Sequence, residues 1–262
     1  MAKVCSICGK PYKIQVFKMG ERSLDIELPA CNCEAIKFEE EQKRKEKVRE
    51  WERIEKKVYS LKRQLNCPLM SPLFQEKTFE KVAKLQDSIG WSSDYKENFQ
   101  KCVEYAKNFD RYSSGGLFMV GKTGSGKTTL QACIIKELER KGKFCLLIQF
   151  STLLDLMIES INFNVETSIF QYYNTLAQFD YVVLDDIGRE KYTDKRLEIA
   201  FRVIDTLMNN KVVVSLTGNP ECIKKLTSIA EYKAIIDRLK DLCPNEMIFK
   251  NESFRGRNVK KF

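Results

Sequence analysis

From residue 116 onward the apolar positions fall into two alternating patterns. Short runs that are apolar at nearly every position lie at 116–120, 144–150, 181–185, 212–216 and 247–249. Between them, stretches with apolar residues three or four apart lie at 127–140, 152–159, 169–178, 195–209 and 232–242. The runs have the character of strands buried on both faces, and the spaced stretches have the period of amphipathic helices. Their alternation predicts an α/β domain with a mostly parallel, five-stranded sheet covered by helices on both faces.

Upstream the pattern changes. Residues 34–65 contain no Gly or Pro, are crowded with Glu, Lys and Arg, and set many opposite charges three or four positions apart, which predicts one long exposed helix. Ile36, Phe38, Val48, Trp51, Ile54, Val58 and Leu61 form an apolar stripe only from Val48 onward. The segment therefore reads either as a solvated spacer or, along that stripe, as a face for a partner or a coiled coil. Cys67, Pro68, Ser71 and Pro72 interrupt it and set a boundary near residues 66–75. Cys5, Cys8, Cys31 and Cys33 crowd into the first 33 residues, so the expected organisation is a cysteine-rich head at 1–33, a helical spacer at 34–70 and the α/β domain at 71–262.

Composition narrows the chemistry. With 43% hydrophobic and 31% charged residues, the chain is a globular one rather than a collagen-like, mucin-like or disordered one. No run approaches the roughly 18 apolar residues of a bilayer span, and the start MAKVCSICGK lacks a signal peptide's apolar stretch, so a cytoplasmic location is expected. In a reducing compartment, ten cysteines point to metal ligation or buried thiols rather than disulfides. Histidine is absent, which excludes imidazole bases and His metal sites and leaves acid and base work to Asp or Glu. A net charge of +9 favours a polyanionic partner.

The most specific motif is Gly121-Lys122-Thr123-Gly124-Ser125-Gly126-Lys127-Thr128, a P-loop pattern between a predicted strand and a predicted helix. Such a loop aims backbone N–H groups and a helix N-terminus at the phosphates of ATP, and the following Thr129 extends the binding set. Lys127 would neutralise the β- and γ-phosphates, and the Thr128 hydroxyl would ligate Mg²⁺. Tyr181-Val182-Val183-Leu184-Asp185-Asp186 is an apolar strand ending in two carboxylates. Alone it is an ordinary strand-end turn; beyond a P-loop, Asp185 is expected to hold Mg²⁺ and Asp186 to polarise the attacking water. The next strand ends in Thr217 and Asn219, and Asn219 reads either as a γ-phosphate sensor or, before Pro220, as a turn residue.

In the head, C-x₂-C and C-x-C separated by 22 residues offer four thiolates to a tetrahedral Zn²⁺, the alternative being unligated thiols. So small a segment with few apolar residues would need metal to fold.

With these motifs in order, residues 70–256 resemble the bacterial and phage helicase loaders of the DnaC/DnaI family, AAA+ P-loop ATPases related to the IstB transposition helpers. The resemblance rests on KTF at 77–79, GLFMVGKTGSGKTTL, FSTLLDLMIES, YVVLDDIGRE, LTGN, IIDRLKDLC and SFRG. It implies that Arg238 acts as an arginine finger on a neighbouring subunit's nucleotide and that Arg255 is a sensor residue. Without the family, Arg238 on an amphipathic helix reads as a surface ion-pair residue. The resemblance further implies a zinc-bearing head that engages a hexameric, DnaB-like replicative helicase, an ATP-dependent homo-oligomer, and single-stranded DNA as ligand. For the last, the basic tail with Lys250, Arg255, Arg257, Lys260 and Lys261 is the candidate surface. The alternatives are an IstB-like transposition helper and an ATP-binding adaptor without productive hydrolysis.

Overall fold

The structure, a computed structural model, describes residues 4–5, 7–19, 22–31, 33–162, 168–188, 193–227 and 230–254. The chain divides into two compact units, Met1–Ser60 and Leu61–Phe262.

In the first unit, β1 (Tyr12–Met19) and β2 (Arg22–Pro29) form an antiparallel hairpin in register from Tyr12↔Pro29 to Met19↔Arg22. The apolar-run pattern did not anticipate it. At the open end of the hairpin, the Ala30 N–H donates to the Pro11 carbonyl and Val4 bridges to Pro11. A tight turn precedes it, in which the Cys5 N–H donates to the Lys10 carbonyl and the Gly9 N–H to the Cys5 carbonyl. Gly9 takes a φ of 70° there, a conformation that suits glycine. Helix α1 (Glu34–Leu65) comes next, its first part to Ser60 belonging to this unit and its last turn to the second. Of its stripe, Trp51, Val58 and Leu61 are buried and Val48 and Ile54 half-buried.

The second unit opens with three helices that the periodicity did not single out: α2 (Pro72–Gln75), α3 (Phe79–Ile89) and α4 (Ser93–Asn108). Thr78 and Ser92 cap the latter two by accepting from the Lys81 and Tyr95 N–H groups, which satisfies donors that a helix start leaves over. The alternation then runs β3 (Leu117–Gly121), α5 (Lys127–Arg140), β4 (Cys145–Gln149), α6 (Phe150–Asn162), α7 (Ile169–Leu176), β5 (Tyr181–Ile187), α8 (Asp194–Asn209), β6 (Val213–Gly218), α9 (Pro220–Thr227), α10 (Ala230–Leu242) and β7 (Asn245–Phe249).

The sheet order is β4-β5-β6-β3-β7 with every neighbouring pair parallel. Nearly every residue of β3, β4, β5 and β6 is buried, which explains why these strands read as unbroken apolar runs. A polar peg crosses the core. The Tyr181 hydroxyl lies 2.7 Å from both Gln131 Oε1 on α5 and Ser215 Oγ on β6, and the Leu117 N–H donates to that same Ser215 oxygen. Because β6 lies between β3 and β5, the C-terminal tips of these three strands stand side by side, where open α/β sheets bind ligands. Among the described residues, no helix is long and apolar enough to cross a membrane.

Candidate nucleotide site and cysteine cluster

The loop after β3 turns sharply into α5, and its glycines make this possible. Gly126 has a φ of 94° and caps α5, and a Cβ there would lie 2.7 Å from the Tyr95 ring. Gly124 is also left-handed, with a φ of 82°. The buried Lys127 ammonium donates to the Gly121 and Lys122 carbonyls at 2.8 Å each and lies 3.4 Å from Ser125 Oγ.

Directly behind it, the two neighbouring strand tips meet. Thr128 Oγ1 and Thr217 Oγ1 both donate to Asp185 Oδ1, at 2.8 and 2.6 Å. Thr217 also accepts the Asp186 N–H at 2.9 Å. The pairing of β5 with β6 slips between Leu184 and Ile187, and Asp186 sits at a φ of 59° within that slip. A bulge of this kind re-aims side chains at strand ends. Here successive carboxylates part ways: Asp185 is buried in the threonine cluster, while Asp186 is half-buried. Burial pushes the Asp185 carboxyl above its ordinary range, against the two hydroxyls that lower it, and nearby Asp186 raises it further.

The residues fit magnesium. A threonine hydroxyl and a carboxylate in mutual contact are hard oxygen donors, and a cation would relieve the penalty that burial imposes on the Asp185 charge.

Beside the loop, α2, α3 and α4 wall a pocket of about 420 Å³ that opens onto Gly124, Gly126, Lys127, Thr128 and Thr129. Its apolar lining includes Phe74, Val82, Leu85, Tyr95 and Phe254. Gln86 lies in the same wall, almost fully buried, and its Oε1 has no hydrogen-bond partner among the described residues. Sequence reasoning missed this wall, because its helices carry buried polar residues, Gln86 and Asn98, within their apolar faces.

Of the remaining candidates, Asn219 directly follows β6 and Arg238 lies on α10. The Asn219 side-chain oxygen accepts the Glu221 N–H and its carbonyl accepts the Ile223 N–H, so Asn219 starts α9 as an Asn-Pro turn. Arg238, on α10, donates to Asp205 of α8 at 2.6 Å, with its guanidinium 5.2 Å from the centre of the Phe201 ring. Arg255, Arg257, Lys260 and Lys261 lie outside the described residues.

In the first unit, the sulfur atoms of Cys5, Cys8, Cys31 and Cys33 lie within 4.8 Å of one another. The hairpin accounts for this: its base joins Pro11 to Ala30 and so brings the Cys5–Cys8 turn beside Cys31 and Cys33. Four thiolates on a tetrahedral zinc stand about 3.8 Å apart, given Zn–S bonds of about 2.3 Å, so the cluster has the donor set and the size for that ion. The Cys8 backbone N–H, with lesser help from other donors and against burial, lowers the Cys5 thiol to about 7. A hydrogen bond with Cys8, together with burial, pushes Cys33 up to about 12. Without a cation, four close thiols cannot all ionise together.

Comparison with known proteins assigns the second unit. The model of the IstB-like ATP binding protein family matches residues 99–261. The chain belongs to this family. The chain is similar to the replicative helicase loader DnaC of Escherichia coli strain K12, at 26% identity over 204 residues that cover 78% of this chain and 79% of that protein. A crystal structure of the DnaC helicase loader superimposes with a TM-score of 0.53 at 20% identity, covering 61% of this chain and 92% of that one. AMPPCP-bound DnaA from Aquifex aeolicus gives 0.54 at 16% identity, covering 68% and 51%. These structural matches show the fold, an α/β domain built on a parallel five-stranded sheet, and the family is one of ATP-binding proteins.

Proposed function

We propose that this chain is an ATP-hydrolysing helicase loader that holds a hexameric replicative helicase and helps place it on single-stranded DNA. The observation that carries the reading is a similarity to a replicative helicase loader along 78% of the chain, in a protein whose Lys127, Thr128, Asp185 and Thr217 converge on one cradle.

In this reading the base of ATP enters the apolar pocket against Tyr95 and Phe254, with the Gln86 amide at its polar edge. The loop N–H groups and Lys127 take the phosphates. Magnesium held by Thr128 and Asp185 would supply charge neutralisation between the β- and γ-phosphates. Asp186, half-buried next to the threonine cluster, orients and polarises the attacking water. Arg238 reaches a neighbouring subunit's γ-phosphate by leaving Asp205. That exchange costs little, because the pair is about half exposed. The cysteine head holds zinc and engages the helicase, and a slow hydrolysis times its release.

The test is co-purification of the wild-type chain with the purified hexameric helicase of its own host, with and without ATP, together with ATP turnover with and without single-stranded DNA. A nucleotide-dependent complex and DNA-stimulated turnover are expected. Assembly on duplex DNA without helicase capture would favour the transposition-helper reading, and binding without turnover would favour an adaptor. Mixing Arg238→Ala with Lys127→Ala should restore part of the turnover if the finger acts between subunits. No recovery from co-assembled chains would return Arg238 to a role within its own subunit.

A further inference from the structure

Beyond β7, residues 251–254 run against the phosphate loop and bind it at three points. Asn251 Nδ2 donates to the Ser125 carbonyl at 3.2 Å, the Phe254 N–H donates to the Gly124 carbonyl at 2.9 Å, and Glu252 pairs with Lys122 at 2.6 Å. Both ends of the Asn251 contact are buried. The Glu252 pair is mostly exposed and contributes little. Phe254 sets its ring edge-on against Tyr95 at 4.8 Å, and Tyr95 in turn leaves no room for a Cβ on Gly126.

The contacts act on peptide orientation. In a planar trans peptide the C=O of one residue and the N–H of the next point in opposite directions. A Ser125 carbonyl held by Asn251 therefore turns the Gly126 N–H the other way. Gly126 caps α5, so its N–H belongs to the set at a helix start that has no partner within the helix and serves anions. The Phe254 bond to Gly124 fixes the preceding peptide, whose Ser125 N–H donates to the Lys122 carbonyl inside the loop. Glycines at 124 and 126 ease rotation of these planes, and the loop's own hold on the Gly124–Ser125 plane is that Ser125 bond, at 3.3 Å.

We infer that Asn251 is a positioning residue of the phosphate cradle, holding the loop from outside so that its N–H groups are oriented before phosphate arrives. The inference rests on the ATP-binding reading and adds a dependence of that site on the segment that follows β7.

The experiment compares Asn251→Ala and the isosteric Asn251→Asp, which lacks the donor, with a control, Asp180→Ala. Asp180 is also buried and accepts the Phe144 N–H at 2.8 Å and the Arg111 guanidinium at 3.1 Å, just before the start of β5 and at the opposite end of that strand from Asp185. Melting temperature, ATP and ADP affinity, and hydrogen exchange of the unliganded loop at 121–130 are measured on the full chain. Both Asn251 variants should bind ATP and ADP about two- to tenfold more weakly, the worth of one hydrogen bond. Their loop should exchange faster. Asp180→Ala should lower the melting temperature with wild-type affinity and wild-type loop exchange. Unchanged affinity and exchange in the Asn251 variants would overturn the inference. So would an affinity loss in Asp180→Ala that tracks its melting temperature, because the segment would then act through general stability. A wild-type chain that binds no ATP would refute the ATP reading, and the exchange measurement would still decide the role of Asn251.

Discussion

Replacing Thr217 by Val tests whether the strand tips form one unit. The side chains are nearly isosteric, so the change removes a hydroxyl and little else. That hydroxyl donates to Asp185 Oδ1 at 2.6 Å and accepts the Asp186 N–H at 2.9 Å, in a residue that is almost fully buried. Losing a hydrogen bond to a carboxylate costs about 1.5–3 kcal/mol, and stranding a backbone N–H away from water costs about 1–3 kcal/mol. The Asp186 donor is only partly buried and the added methyl returns about 0.8 kcal/mol, so a net loss of about 2–3 kcal/mol is expected. For a domain of this size, the melting temperature should fall by about 4–12 °C. Thr217→Ser keeps both bonds and should stay within about 1 kcal/mol of wild type. Urea unfolding without nucleotide reads the stability, and steady-state hydrolysis with saturating ATP reads the function. Asp186 loses the bond that holds its left-handed backbone, so turnover should fall about tenfold or more while ATP affinity changes less. Wild-type stability and turnover in Thr217→Val would refute the coupling of Asp185, Asp186 and Thr217.

Three further outcomes follow. Burial holds the Asp185 carboxyl above its unfolded value, so its contribution is complete below the unfolded pKa and is lost as pH rises through the folded one. Asp185→Asn should therefore stabilise the unliganded protein at pH 7 and not at pH 3, while the Mg²⁺-dependent part of ATP affinity disappears in calorimetric titration. Lys127→Ala should weaken both ATP binding and turnover, whereas Asp186→Asn, a residue that tolerates a positive φ, should bind normally and hydrolyse slowly; equal turnover in Asp186→Asn and wild type would remove Asp186 from the chemistry. Metal analysis should find one zinc per chain, and chelation should abolish helicase capture while leaving the nucleotide unit's unfolding transition intact; a chain with well under one equivalent in reducing buffer would argue for unligated thiols.

The parts of the fold legible in the sequence are those written in contiguous residues. Strands β3 to β6 announce themselves because both faces are covered, and the P-loop because its glycines, lysine and threonine are consecutive. Gly20-Glu21 between YKIQVFKM and RSLDIELP is also a readable hairpin signal, but one set among charged residues that blur the alternation. Thr217 lay in view at a strand tip, yet its bond to Asp185 depends on a register slip between two strands that no local pattern encodes. Helices α3 and α4 were hidden by Gln86 and Asn98, polar residues on faces that turn inward. The approach of Asn251 to Ser125 joins positions 126 residues apart, and only the tertiary fold brings them together.

The placement of β6 also constrains how the protein is made. Strand β3, which carries the phosphate loop, finds its sheet neighbours only in β6 and β7, and Phe118 waits for Leu216 and Glu246 to be synthesised. The β4–β5 pair can form early from nearby sequence, but β3, the first strand of this sheet to leave the ribosome, must remain an unpaired apolar edge until β6 has followed. Non-local pairing of this kind is slow and exposes surface that aggregates. A nascent chain stalled before Gly218 therefore lacks the Thr217 contact that completes the Asp185 cluster, and the contacts of Asn251 and Phe254 with the phosphate loop come later still.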